Sequence, residues 1–232
     1  YKQIIRASMK TFCLKWYCID LICEQYYNNQ KRNNAYKRIC TQFAERQKAG
    51  VGMASPKSCA ILGHNPMRFA WGFDEEAAEC HDMKMELAQQ IMVLRQQGVT
   101  HFSVACDYGV GLYAAEIINA LRNDDSELML FCITPYEEQA TKWTPALRER
   151  YFDMLIKCTH MTAVSLHKQP DAQLEAYRAI IRQSDMVLAV YDPASARGDD
   201  ADKAIAYARE LGKPILTIHP DTLKIEYACI EV

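Results

Sequence analysis

The residues best equipped for chemistry lie between Asp107 and Glu116, in the string Asp-Tyr-Gly-Val-Gly-Leu-Tyr-Ala-Ala-Glu. Two carboxylates bracket a turn that contains Gly109 and Gly111. Glycine there permits positive φ and close approach of the backbone to a ligand, and the free N–H groups opening a following helix favour an anion such as phosphate. Asp107 can accept from ribose hydroxyls or cap the helix, and Glu116 can act at a sugar or simply orient the helix start. The spacing stops short of a full dinucleotide fingerprint, because the third glycine of Gly-x-Gly-x-x-Gly is Ala114. A plain strand-to-helix turn uses the same glycines, so both readings stand at this point.

Further candidates sit in other turns. Gly63-His64-Asn65-Pro66 offers a histidine that can donate to phosphate or ribose, act as acid or base, or stack as a turn residue on Phe69 or Trp71. Tyr136 and Glu137 can clamp a flat base by stacking and hydrogen bonding. Asp192 and Gly198 bound a polar loop. There is no Ser-His-Asp order, no His-Glu-x-x-His string and no Walker loop, so neither a nucleophilic nor a metal mechanism has a starting point.

These turns need elements to hold them, and strands and helices alternate along the chain. Strands are expected at Ser58–Leu62, Phe102–Cys106, Glu127–Ile133, Met161–Leu166, Met186–Tyr191 and Pro214–His219. Between them lie helices at Glu75–Gln97, with Asp74 as N-cap, at Leu112–Leu121, from Pro145 to Lys157, at Asp171–Gln183 and at Asp200–Leu211. Alternation of this kind implies a doubly wound α/β fold, Rossmann-like, around a mainly parallel sheet. Such sheets receive ligands outside the carboxyl ends of their strands, where the strand order reverses. The loops there are 63–68, 106–111, 134–139 and 191–199.

With 232 residues, half of them apolar, the chain can bury one sizeable core. Charge is lopsided: residues 1–57 hold 11 Lys and Arg against three acids, and the remainder holds 16 bases against 26 acids. The chain therefore divides into a basic, weakly helical extension and linker (1–56), a Rossmannoid domain (57–221) and a tail (222–232). Ten cysteines are scattered without a Cys-x-x-Cys pair, which suits free thiols in a reducing cytoplasm better than disulfides or a metal site. Lys15, Asp20 and Glu24 interrupt the most apolar stretch, so no membrane segment is expected.

In order along the chain, Gly63-His64-x-Pro66, the helix start Gly109 to Glu116, Pro135-Tyr136-Glu137-Glu138-Gln139, Trp143, Glu149-Arg150-Tyr151 and Ser184-Asp185 resemble the YpsA-like branch of the SLOG superfamily. That superfamily includes the Lonely Guy phosphoribohydrolases and the DNA-processing protein DprA. The resemblance covers about residues 57–219. It implies a nucleotide, or an NAD- or ADP-ribose-like derivative, as ligand; no further cofactor is fixed. It also adds Arg150, for an inward salt bridge or an anion contact, Arg178 as a contact in the crevice and, by analogy with related folds, a homodimer.

The leading expectation is a nucleotide-binding sensor. An N-glycosidic hydrolase using Glu116 or Asp107 is the alternative. Single-stranded DNA binding through the basic leader is a lesser one, since the domain lacks the aromatics interleaved with arginines that stacking platforms use. Three departures from the family pattern matter: one glycine is missing from the glycine loop, Asn65 replaces an arginine, and Asp199-Asp200 replaces a Gly-Gly-Thr loop. Two acids there repel phosphate unless a cation, Arg197 being the nearest in sequence, offsets them.

Overall fold

The computed structural model describes residues 57–228. The expected helices of the basic extension lie outside the described residues. The strands are β1 (Ser58–Gly63), β2 (His101–Val104), β3 (Met129–Tyr136), β4 (His160–Ser165), β5 (Met186–Val190), β6 (Ile215–Ile218) and β7 (Ile225–Ala228). The helices are α1 (Ala78–Gln96), α2 (Val110–Leu121), α3 (Pro145–Lys157), α4 (Ala172–Arg182) and α5 (Asp200–Glu210). They build one sheet of order β4-β3-β2-β1-β5-β6-β7. Every pair is parallel except β6 with β7. The doubly wound α/β reading therefore holds, and the order reverses between β1 and β5.

Strand periodicity explains the two cores. Alternate side chains of the central strands point to opposite faces. Ile61, Phe102, Val104, Leu130 and Leu188 pack with α1, α2 and α3 on one side. Ala60, Leu62, Val187 and Ala189 pack with α4 and α5 on the other. Both faces are covered, so β5 is buried along its whole length and reads as a continuous apolar run.

Several boundaries moved for physical reasons. Asp74 does not cap α1; its Oδ1 accepts from the Glu76 amide at 3.1 Å in a local turn, and α1 opens after Ala77. β2 ends at Val104 because Cys106 takes a left-handed φ of 53°, turning the chain into the loop. The expected tail holds a strand: β7 pairs antiparallel with β6, Ile218 opposite Ile225, after a turn in which His219 Nδ1 accepts from the Asp221 and Thr222 amides. Alternation of Ile225 and Tyr227, which pack on the core, with Glu226 was the overlooked signal.

Candidate functional site

The carboxyl ends of β1, β2 and β3 meet the amino ends of α4 and α5 around a cleft of about 290 Å³. Asn65 and Pro66 come from the turn after β1, Asp107 and Tyr108 from the turn after β2, and Tyr136, Gln139 and Trp143 from β3 and the segment after it. Gln173 and Tyr177 project from the first turns of α4, Asp199, Asp200 and Ala201 open α5, and Phe73 comes from the loop before α1. Phe73 and Tyr108 are stacked with rings 3° from parallel and centroids 5.5 Å apart. A second hollow of about 320 Å³, lined in part by Leu147 and Arg150, lies against the same pair.

The turn itself is tightly built. Gly109 has φ 108° and ψ −129°, and a Cβ there would come within 2.8 Å of Pro66 Cγ. So the proline of the Gly-His-x-Pro string rests on the glycine of the next loop. A Cβ on Gly111 would meet Asp107 Oδ1 at 2.4 Å. That oxygen is buried over the start of α2 with no hydrogen-bond partner among the described residues, and the Asp107 carbonyl accepts from Leu112 N–H at 3.1 Å. Burial raises the Asp107 carboxyl to about 6, against the opposing pull of its own amide, the Tyr177 hydroxyl and the Gly111 amide. A carboxylate thus stands where an anionic ligand would dock.

Beside the cleft, Arg68 organises the turn at Asp199. Its Nη1 is 2.5 Å from Asp199 Oδ2 and 3.4 Å from Asp202 Oδ1, and its Nη2 bonds the Ser195 carbonyl and, at 3.0 Å, the Ser195 hydroxyl. Asp199 caps α5 through a reciprocal pairing with Asp202. Asp202 also accepts from the Arg197 and Gly198 amides, both at 2.6 Å, and from the Tyr191 hydroxyl at 2.9 Å. Burial works against its charge, but the Arg197 amide, the Tyr191 hydroxyl and further N–H donors hold it down at about 2. His64, Asp199 and Asp202 bring one ligand atom each within 4.8 Å of one another, yet Arg68 already balances the two acids. The compensating cation is Arg68, in place of the expected Arg197, whose side chain is exposed.

Of the residues singled out from sequence, Asn65, Asp107, Tyr108 and Tyr136 line the cleft. The others lie outside the lining of this cleft. Gly63 is packed against Val110, where a Cβ would come within 2.5 Å of Cγ2. His64 is buried below the turn: Nε2 accepts from the Asp192 amide at 3.0 Å and the ring lies 4.5 Å from that of Tyr191. Burial, then the charge of Arg68, lowers its pKa. Asp192 itself is engaged with the Ala194 amide at 2.9 Å. Gly109 and Gly111 shape the turn from behind Pro66 and Asp107, and Gly198 serves the α5 cap. Glu137 is exposed, pairing main chain to main chain with Ser165.

The charged candidates on helices are paired elsewhere. Glu116 is held by Arg150 in a two-point bridge, Nε to Oε1 at 2.7 Å and Nη2 to Oε2 at 2.9 Å. Arg150 also contacts Glu75 at 2.7 and 3.2 Å, and Glu75 takes Lys84 as well, at 2.5 Å. Burial opposes the Glu75 charge, but Arg150 and Lys84 bring it to about 2. Arg178 bonds Glu175 at 2.7 Å, lies over the Tyr207 ring and stays outside the cleft. Sequence reasoning missed Phe73, Gln139, Trp143, Gln173, Tyr177 and Ala201 as lining. Gln139 and Trp143 stand in the strings that carry the family resemblance, and Gln173 and Ala201 in first helical turns; no local pattern marked Phe73 or Tyr177.

The sequence pattern that defines the YspA SLOG family matches residues 59–223. The chain belongs to the YpsA family of the SLOG superfamily. It is 32% identical over 114 residues to a UPF0398 protein of Halalkalibacterium halodurans, a match covering 47% of this chain and 59% of that protein. It is 27% identical over 139 residues to a UPF0398 protein of Bacillus cereus, covering 59% of this chain and 74% of the relative, and a Bacillus thuringiensis relative matches to the same extent. The chain thus spans rather more than half the length of the first of these YpsA relatives. The match stops at Leu223, two residues before β7 begins. Among the described residues, no helix is long and apolar enough to cross a membrane.

Proposed function

We propose that this YpsA-family domain binds a nucleoside-based small molecule and acts as a sensor or carrier of it. One observation carries the reading: at the reversal of strand order, where wound sheets receive ligands, a cleft is walled by Phe73, Tyr108, Tyr136, Trp143 and Tyr177. Aromatic walls suit a flat base, and side-chain amides and carboxylates among them suit its polar edge and a ribose. At about 290 Å³ the cleft is at the low end of ligand pockets, which favours one nucleoside unit over a whole dinucleotide. Reading it as a binder rests on Glu116, which the two-point bridge to Arg150 ties up.

Asp107 keeps the N-glycosidic hydrolase as a second reading. A buried carboxyl with a pKa of about 6 can take or give a proton near neutral pH.

The test is equilibrium dialysis of the full chain against adenosine, guanosine, cytidine and uridine, with chromatography of the recovered nucleosides. Saturable binding of at least one, weakened about tenfold or more by Tyr136→Ala, supports the sensor reading; base–aromatic stacking of about 1–3 kcal/mol sets that scale. Release of free base with repeated turnover favours the hydrolase. No saturable binding to any of the four overturns both.

A further inference from the structure

We infer that this cleft selects against phosphate, so that its ligand is the dephosphorylated nucleoside. The inference rests on the nucleoside reading above and narrows it. Three observations carry it. First, among the described residues the cleft lining contains Asp107, Asp199 and Asp200 and no lysine or arginine; Asp199 is paired with Arg68 and Asp200 Oδ1 stands 3.9 Å from Lys203 Nζ, which leaves Asp107 as the acid without a cation. Second, the amino end of α2, the natural phosphate seat in this kind of fold, is already taken. The Asp107 carboxylate lies against Gly111, and the Leu112 N–H is spent on the Asp107 carbonyl. A phosphate there would have to expel a like charge from a covalently fixed position.

Third, the guanidinium groups of Arg68, beside the cleft, and Arg150, in the adjoining hollow, are already ion-paired. Arg68 is divided between Asp199 and Asp202, and Arg150 between Glu75 and Glu116. Freeing Arg68 would leave Asp199 without its cation, and freeing Arg150 would do the same to Glu116. Like charges facing a developing contact in a partly desolvated hollow cost affinity rather than merely failing to add to it. The aromatic walls remain available to the base, so discrimination falls on the charged end of the ligand alone.

The experiment is isothermal titration of the full chain at low ionic strength with each of the four nucleosides and its 5′-monophosphate, and with inorganic phosphate as competitor. Wild type is expected to bind its best nucleoside at least tenfold more tightly than the matching monophosphate, with inorganic phosphate not competing. Asp107→Ala, which vacates the seat over Gly111, should narrow that ratio by roughly tenfold through gained monophosphate affinity. Should that variant fold poorly, Asp200→Asn at the start of α5 provides the second reading and should narrow the ratio in the same direction. A monophosphate that binds wild type as tightly as its nucleoside, or competition by inorganic phosphate, overturns this inference while leaving nucleoside binding intact. Absence of binding by all eight compounds removes the nucleoside reading and this one with it.

Discussion

Replacing Asp107 by Asn should stabilise the protein, and only at neutral to alkaline pH. The carboxyl titrates at about 6 in the folded protein against an ordinary 3.8, because burial disfavours its charge. Between those two values the folded state binds more protons than the unfolded chain. Stability attributable to this residue therefore falls as pH rises from about 4 to about 6, and the cost is present in full above that. That difference corresponds to about 3 kcal/mol. Asparagine keeps the shape, can still point its carbonyl oxygen at Gly111, and removes the charge. Urea unfolding of wild type and Asp107→Asn at pH 8 and pH 4.5 is the assay. The variant should gain up to about 3 kcal/mol at pH 8, or roughly 6–12 °C in melting temperature for a domain of this size, and far less at pH 4.5. A variant whose loss of stability relative to wild type is larger at pH 8 than at pH 4.5 would refute the reasoning, because the charge would then be a net contributor to folding.

Gly109→Ala should destabilise by roughly 1–3 kcal/mol in thermal unfolding, since φ 108° is unfavourable for any side chain and the new methyl would press on Pro66. Arg68→Met should cost about 3 kcal/mol at pH 7, measured by urea unfolding, because Asp199 and Asp202 lose the guanidinium buried between them. Glu116→Gln should leave nucleoside affinity within about twofold of wild type, and any stability loss should stay near 1 kcal/mol, its partner Arg150 retaining Glu75. A tenfold loss of affinity in that variant would return Glu116 to the site.

The strands and helices were legible because each repeats a period that its burial demands. Met186 to Val190 reads as one apolar run since both sheet faces are covered, and Pro145 behind Thr144 announces a helix start that Thr144 caps at 3.4 Å to the Leu147 amide. Which loops meet was legible too, because strand order and handedness leave few places for a ligand. The partners of individual charges were not. Arg150 and Glu116 are brought together by the packing of α2 against α3, and Arg68 reaches Asp199 across 131 positions of sequence. No local pattern encodes such pairings. His64 was a turn histidine whose burial depends on Tyr191 and Asp192, contributed by the strand that pairs with β1 only after a long crossover. β7 was passed over for a simpler reason: four residues carry too little alternation to stand out near a chain end.

The central claim is that the hollow at the strand-order reversal takes the ring of a nucleoside while the start of α2 is closed to anions. Amide and indole chemical-shift mapping on the isotopically labelled full chain tests both halves at once. Titration with the tightest-binding of the four nucleosides should move the Trp143 indole and the Asn65 side-chain amide, and titration with inorganic phosphate should leave the Gly109, Val110 and Gly111 amides where they are. Phosphate-induced shifts at those three amides, with Trp143 and Asn65 unmoved by any nucleoside, would contradict the account.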